Sequence, residues 1–357
     1  MFVHWSIVGS AFLAALFLSV MFFNGFGRIE VLREKIAVAI LTIYLSVLLV
    51  VVGIGCFAWY SSDFVTDINR SDFFVPLVSA VVIVGALFAN KVWFVDGAVV
   101  ATVFANVFLS DCLTIEFFSE YSLLVNKFVT CLVWSFFALG FRSLSGLNPL
   151  PQIETATISF GFVLLFLFGV APFMMGVIAS SLAATIVIAY VYSKKYPISI
   201  AGAPVLGYLL GLLGVLSYQE FLLPCFVGFA MFYFGELCVS SLKKGTLIQS
   251  YAKFEYNSVS FKAFNDGLPP NDLIKNLWFV NVVLIIFGLF QMNGVNTYSV
   301  PVFAGLVVLW NLYKIENWKD ARNLTFKEAN KEIVNDIKQV VKEIFDNSDK
   351  TNKTGKN

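Results

Sequence analysis

The 357 residues are 59% hydrophobic and only 13% charged, with a mean hydropathy of +0.82 and a net charge of +1. A soluble domain carries roughly a quarter of its residues as charges, so this chain cannot cover itself with polar surface and a water-soluble fold is excluded. So small a net charge gives no electrostatic footprint for nucleic acid.

Apolar runs long enough to cross a ~30 Å hydrocarbon core recur along nearly the whole chain. They predict helical spans at about 5–24, 36–59, 73–93, 97–118, 122–141, 156–174, 176–193, 200–218, 219–240, 274–292 and 297–313. The runs are continuous rather than alternating, which argues for helices and against a barrel. The fold class expected is therefore an all-α, polytopic membrane bundle of about eleven helices. The first run lacks a basic leader and a small-residue cleavage site, and reads as a retained span rather than a signal peptide. The stretch 156–193 is one apolar run broken near Pro172 and Gly176, which predicts a tight turn there.

The basic residues set an orientation. With the N-terminus outside, 22 of the 24 Lys and Arg fall on the inner side, and only Arg70 and Lys127 fall outside. Lys and Arg resist translocation, so the chain is expected N-out and C-in. The outer connections are short, and the longest loop, about Ser241 to Lys275, lies inside, so polar work is expected on the inner face. Residues 1–313 form the membrane domain. Residues 314–357 form a polar tail, in which Thr325 and Glu328 fit a capping box. A stripe of Ile333, Val334, Ile337, Val340, Val341 and Ile344 predicts an amphipathic helix over about 326–345. That helix would lie on the membrane, on an envelope-synthesis partner, or on the protein's own loops; residues 346–357 read as a disordered end.

Polar residues inside the spans are few. Asp111, Glu116 and Lys127 sit in the outer halves of the fourth and fifth spans, and an Asp111–Lys127 ion pair is expected near the interface. Glu236, near the inner end of the ninth span, faces the side of the long loops. The five cysteines (Cys56, Cys112, Cys131, Cys225, Cys238) lie in apolar stretches without CxxC spacing, so packing is their expected role. His4 is the only histidine, and no Cys/His metal site is expected.

Several segments resemble the polyprenyl-phosphate sugar-1-phosphate transferases. Phe232–Leu242 (FYFGELCVSSL) looks like the family's ninth span, with Glu236 and Ser240 in the places of a Glu and a following Ser. Pro197–Gly207 (PISIAGAPVLG) resembles the F-x-G-D-x-G-S-x-x-L-G loop, with Gly202, Leu206 and Gly207 matching by position. Trp134–Gln152 stands where the family carries an Asn- and Asp-Gly-rich loop after its fifth span. The resemblance covers about 1–313 and is mainly topological. It implies an enzyme that moves a phospho-sugar from a UDP-sugar onto a lipid phosphate at the cytoplasmic face with Mg²⁺.

The acidic residues of that chemistry are missing here. The third span should end in paired Asp but reads Phe88-Ala89-Asn90-Lys91. The fifth-span loop reads Gly140-Phe-Arg-Ser143-Leu-Ser-Gly146-Leu-Asn-Pro149, with no acid before Glu154. The Asp of the Gly-rich loop falls on Ile200, and a histidine cluster after the ninth span is absent. Transfer of a phosphoryl group from a diphosphate needs the metal, and Mg²⁺ takes hard carboxylate oxygens. The acids left in the inner loops are Asp96, Glu154, Glu255, Asp266 and Asp272.

The sequence therefore predicts a divergent, non-catalytic relative of these transferases that binds a polyprenyl phosphate. Lys91, Arg142, Lys194, Lys195, Lys243 and Lys244 are the basic groups able to hold a lipid phosphate or diphosphate. The alternative is an active transferase with a rebuilt site using Glu236, Asp266 or Asp272, and Mg²⁺ is expected only in that case. A further alternative is an unrelated polysaccharide polymerase, flippase or transporter. The short outer segments oppose a polymerase, and the shortage of mid-membrane polar groups opposes the other two.

Overall fold

A computed structural model describes residues 2–31, 38–60, 81–88, 91–110, 113–117, 122–145, 147–244, 258–291 and 299–318. All regular structure among them is helical, with no strand. The helices are α1 (Phe2–Phe26), α2 (Val38–Tyr60), α3 (Val92–Leu109), α4 (Leu123–Gly140), α5 (Leu150–Leu167) and α6 (Phe173–Val191). They continue with α7 (Ala203–Gln219), α8 (Leu223–Phe229), α9 (Met231–Lys244), α10 (Val259–Asn265), α11 (Pro270–Phe290) and α12 (Ser299–Glu316). Residues 81–88 are also helical, inside the predicted third span. The tail helix expected over 326–345 and the inner loop 245–257 lie outside the described residues.

Six of these helices are long and apolar enough to cross a membrane, and α8 with α9 forms a seventh, bent pair. The outer surface fits a lipid solvent. On α11, Phe279, Val282, Ile286 and Phe290 form an exposed stripe, and α4 exposes Phe128, Leu132 and Phe136 at helical spacing. In water such continuous apolar faces would drive aggregation; in hydrocarbon they cost nothing. The polar positions face inward. Helix α5 is almost wholly enclosed, and hydroxyls within the bundle bond back along their own helices: Thr155 to the Pro151 carbonyl (2.7 Å), Thr157 to Ile153 (2.9 Å) and Ser181 to Val177 (2.7 Å). Back-bonding of this kind satisfies a hydroxyl where there is no water.

The break in the run 156–193 is present, with a division of labour between its residues. Helix α5 ends in a Schellman turn: Gly169 has φ of +76°, its N–H donates to the Phe166 carbonyl, and the Val170 N–H donates to Leu165. Glycine adopts that left-handed conformation without penalty. Pro172 then caps α6. Gly176 belongs to the helix rather than the turn, and the Phe166 ring lies where its Cβ would be. The fourth predicted span, 97–118, is displaced: the helix covers Val92–Leu109, and 113–117 is largely non-helical, with the Ile115 N–H donating to Thr130 Oγ1 (2.9 Å). The predicted ninth span bends by 62° around Ala230, between α8 and α9. Phe229 anchors the bend, its ring occupying notches left by Gly161 on α5 and Gly288 on α11.

Contacts between connections fix the two ends of the bundle. At one end Arg142 bonds to Asp96 and to the Ile200 carbonyl, Asn148 donates to the Ser193 carbonyl, and Tyr196 donates to the Gly27 carbonyl (3.4 Å). At the other, Tyr218 and Gln219 donate to the carbonyls of Glu116 (3.1 Å) and Thr114 (2.8 Å), and His4 packs edge-on against Phe166. Of the Lys and Arg side chains described, all but Lys127 lie at the first end. Lys127 is buried and donates to the Phe108 carbonyl (3.4 Å); Asp111, its expected partner, lies outside the described residues.

Helix α7 approaches α4 so closely that a Cβ on Gly207 would sit 2.6 Å from the Ala138 carbonyl oxygen. Backbone cannot rotate away, so Gly207→Val is expected to destabilise the protein by about 1–3 kcal/mol. Gly53, whose Cβ position is open, is the control: Gly53→Ala is expected to match or exceed the wild-type stability. Thermal unfolding in detergent checks both.

Candidate functional site

The site begins at the end of α4, where Phe141–Leu144 forms a single 3₁₀ turn and turns Arg142 back into the bundle. Arg142 is 8% exposed. Its Nη2 makes an ion pair with Asp96 on the second turn of α3, and its Nε donates to the Ile200 carbonyl before α7 (3.3 Å). Asn148 Nδ2 donates to the Ser193 carbonyl after α6 (2.8 Å), and Gln152 Nε2 donates to Asn148 Oδ1 (2.9 Å). One arginine and one asparagine thus tie the α4–α5 connection to the start of α3 and to the α6–α7 connection, all at the same end of the bundle. The two connections include the segments Trp134–Gln152 and Pro197–Gly207 singled out in the sequence. Behind them Trp134 donates to the Tyr208 carbonyl (3.0 Å) and stacks on the Tyr208 ring, while Asn106 donates to the Tyr208 hydroxyl (2.6 Å).

The predicted basic residues separate into two groups. Lys91, Lys194 and Lys195 are exposed at this end, with the Lys195 ammonium 5.4 Å from the Tyr196 ring centroid. Arg142 is engaged by Asp96 and Ile200, so its charge is spent internally. Lys243 and Lys244 stand on the last turn of α9, and their side chains lie outside the described residues.

The predicted acids do not converge. Asp266 closes α10 and Asp272 opens α11, and both are exposed. Glu236 is fully buried on α9, where its Oε1 accepts from the Ser260 N–H on α10 (2.9 Å). Among the described residues no group of three or more His, Cys, Asp or Glu could hold a metal ion. These residues therefore do not fit a Mg²⁺ centre built from Glu236, Asp266 and Asp272.

Two loop acids of the sequence reading are helical instead. Asp96 lies in α3 and Glu154 in α5. Glu154 is fully buried and its Oε1 accepts from Asn281 Nδ2 on α11 (2.7 Å). Sequence reasoning missed Asn281, whose only signal was an amide in mid-span.

No protein-family profile matches the chain, and no curated protein matches it either.

Removing Asp96 would leave the Arg142 guanidinium desolvated and without its counter-charge. Asp96→Ala is expected to cost about 3 kcal/mol. The double variant Arg142→Met/Asp96→Leu should recover most of that loss, measured by thermal unfolding of the purified protein. Equal destabilisation by the single and double variants would show that the pair does not act as a unit.

Proposed function

We propose that the chain is a non-catalytic relative of the polyprenyl-phosphate sugar-1-phosphate transferases of bacterial envelope synthesis, and that it holds a polyprenyl phosphate at its basic end. In this reading it crosses the inner membrane eleven times, N-out and C-in, and the end that gathers Arg28, Lys91, Lys194, Lys195, Lys262, Lys275 and Lys314 is cytoplasmic. The observation that carries the proposal is the convergence on Arg142. Segments that resemble the family's catalytic loops meet in space, although they lie far apart in the chain. Where the family places acids for a metal, this chain has an ion pair between Asp96 and Arg142, which neutralises the one carboxylate there.

The exposed cations suit a lipid phosphate. Lys and Arg at the cytoplasmic boundary attract anionic headgroups by about 1 kcal/mol each. A rebuilt active transferase is less well supported, since Glu236 is buried and amide-bound while Asp266 and Asp272 stand on the surface of separate helices.

Binding of undecaprenyl phosphate to the purified protein, followed by native mass spectrometry, tests the reading. Saturable binding is expected, and Lys194→Ala/Lys195→Ala should weaken it several-fold. Binding no tighter than to a neutral polyprenol would contradict it. Orientation is checked separately with single cysteines in place of the exposed Lys194 and Glu220. Membrane-impermeant thiol reagent added to intact cells should label the second and spare the first.

A further inference from the structure

Helices α5 and α7 end at the face opposite the basic residues, in the same kind of turn but on different residues. Helix α5 turns on Gly169. Helix α7 turns on Phe221: the Phe221 N–H donates to the Tyr218 carbonyl (3.1 Å), the Leu222 N–H donates to the Ser217 carbonyl (2.7 Å), and Phe221 has φ of +57°. These are the bonds of a Schellman turn, whose left-handed position ordinarily takes glycine because a Cβ crowds the neighbouring carbonyl there. A bulky side chain in that conformation is strained. Among the described residues, no other residue except glycine has a positive φ. Leu222 is buried, whereas Phe221 is 92% exposed, more than any other large hydrophobic side chain described. The ring therefore makes no interior contact that would offset the strain.

The surface around the ring is acidic. Tyr218 and Gln219 tie this turn to the segment 113–117 through the carbonyls of Glu116 (3.1 Å) and Thr114 (2.8 Å), and Phe117 lines one cavity together with Leu223. The two connections thus lie side by side, and they expose Glu116, Phe117, Gln219, Glu220 and Phe221. Exposed carboxylates mark this level as water rather than hydrocarbon, where a charge is rejected. Aromatic rings held out at a wet surface and rimmed by polar groups mark an interaction site. Neither Glu116 nor Glu220 has an ion-pair partner among the described residues. Lys127, the one described cation away from the basic end, is buried. The acidic rim is therefore unmatched by this chain and calls for cations on whatever covers it. The anionic headgroups of a lipid surface carry the wrong sign.

We propose that Phe117 and Phe221, with Glu116 and Glu220, form a docking surface for a partner protein, which covers the rings with an apolar segment flanked by Lys or Arg. The left-handed turn holds the Phe221 ring away from the bundle, and the contact with the partner is what that strained position serves. The surface lies at the end opposite the Asp96–Arg142 pair and does not depend on any lipid phosphate held there.

The test places the photo-crosslinking residue benzoylphenylalanine at position 221 of the full-length protein, in the membranes of cells that make it naturally. Mass spectrometry identifies what is joined to it. A discrete protein adduct is expected, on a segment that carries Lys or Arg beside apolar residues. Glu116→Lys/Glu220→Lys should lower its yield several-fold. In a second arm the label stands at Phe117 and position 221 is varied. Phe221→Gly should then lower the yield about ten-fold, as loss of an aromatic anchor does. The same variant, purified, should melt at or above the wild-type temperature, because glycine takes the turn without strain. Adducts to lipid alone, no adduct, or a protein adduct on an acidic segment would overturn the proposal. So would a yield that the charge reversals or Phe221→Gly leave unchanged, or a Phe221→Gly protein that melts well below the wild type, since the ring would then serve the fold.

Discussion

Close approach of helices is what the bundle rests on. In hydrocarbon, hiding an apolar face gains little, because lipid tails are as apolar as leucine. Association then depends on dispersion between surfaces that fit, and on polar groups that find partners only inside. Glycine supplies the fit. Gly176 admits the Phe166 ring, Gly211 the Trp134 indole, and Gly161 and Gly288 together admit Phe229. At Gly207 the contact is backbone to backbone. Through these notches α5 is enclosed, and the residues it carries inward are held where no water reaches them.

That enclosure explains the placement of the charged residues. Arg142 and Asp96 neutralise each other at one end while gathering connections from several helices. Glu154 and Glu236 stand deeper, each accepting one donor from a different helix. Among the described residues, the remaining cations other than the buried Lys127 are exposed at a single end.

Much of this architecture was legible because hydropathy reports burial in lipid directly. Apolar runs located helices and Pro172 located a turn, although the glycine that makes the turn is Gly169 and not Gly176. What escaped has a common cause. Asp96 and Glu154 broke the hydropathy of their runs and were read as loop acids, yet both are helical because Arg142 and Asn281, distant in sequence, receive them. Likewise the bend at Ala230 follows from where Phe229 is wedged, which depends on Gly161 and Gly288. Local composition cannot show a partner supplied from another helix. The same limit applies to the functional residues: Glu236 near a span end and Asp266 and Asp272 in a loop are close in the sequence reading, whereas burial separates Glu236 from the other two.

The account stands on the claim that the Asp96–Arg142 end binds a lipid phosphate without transferring to it. The direct measurement incubates purified protein with radiolabelled undecaprenyl phosphate and a panel of UDP-sugars. Mg²⁺ or Mn²⁺ is compared with chelator. The account predicts that the lipid phosphate is bound and recovered unchanged under every condition. A lipid-linked sugar phosphate that forms only with metal would contradict it.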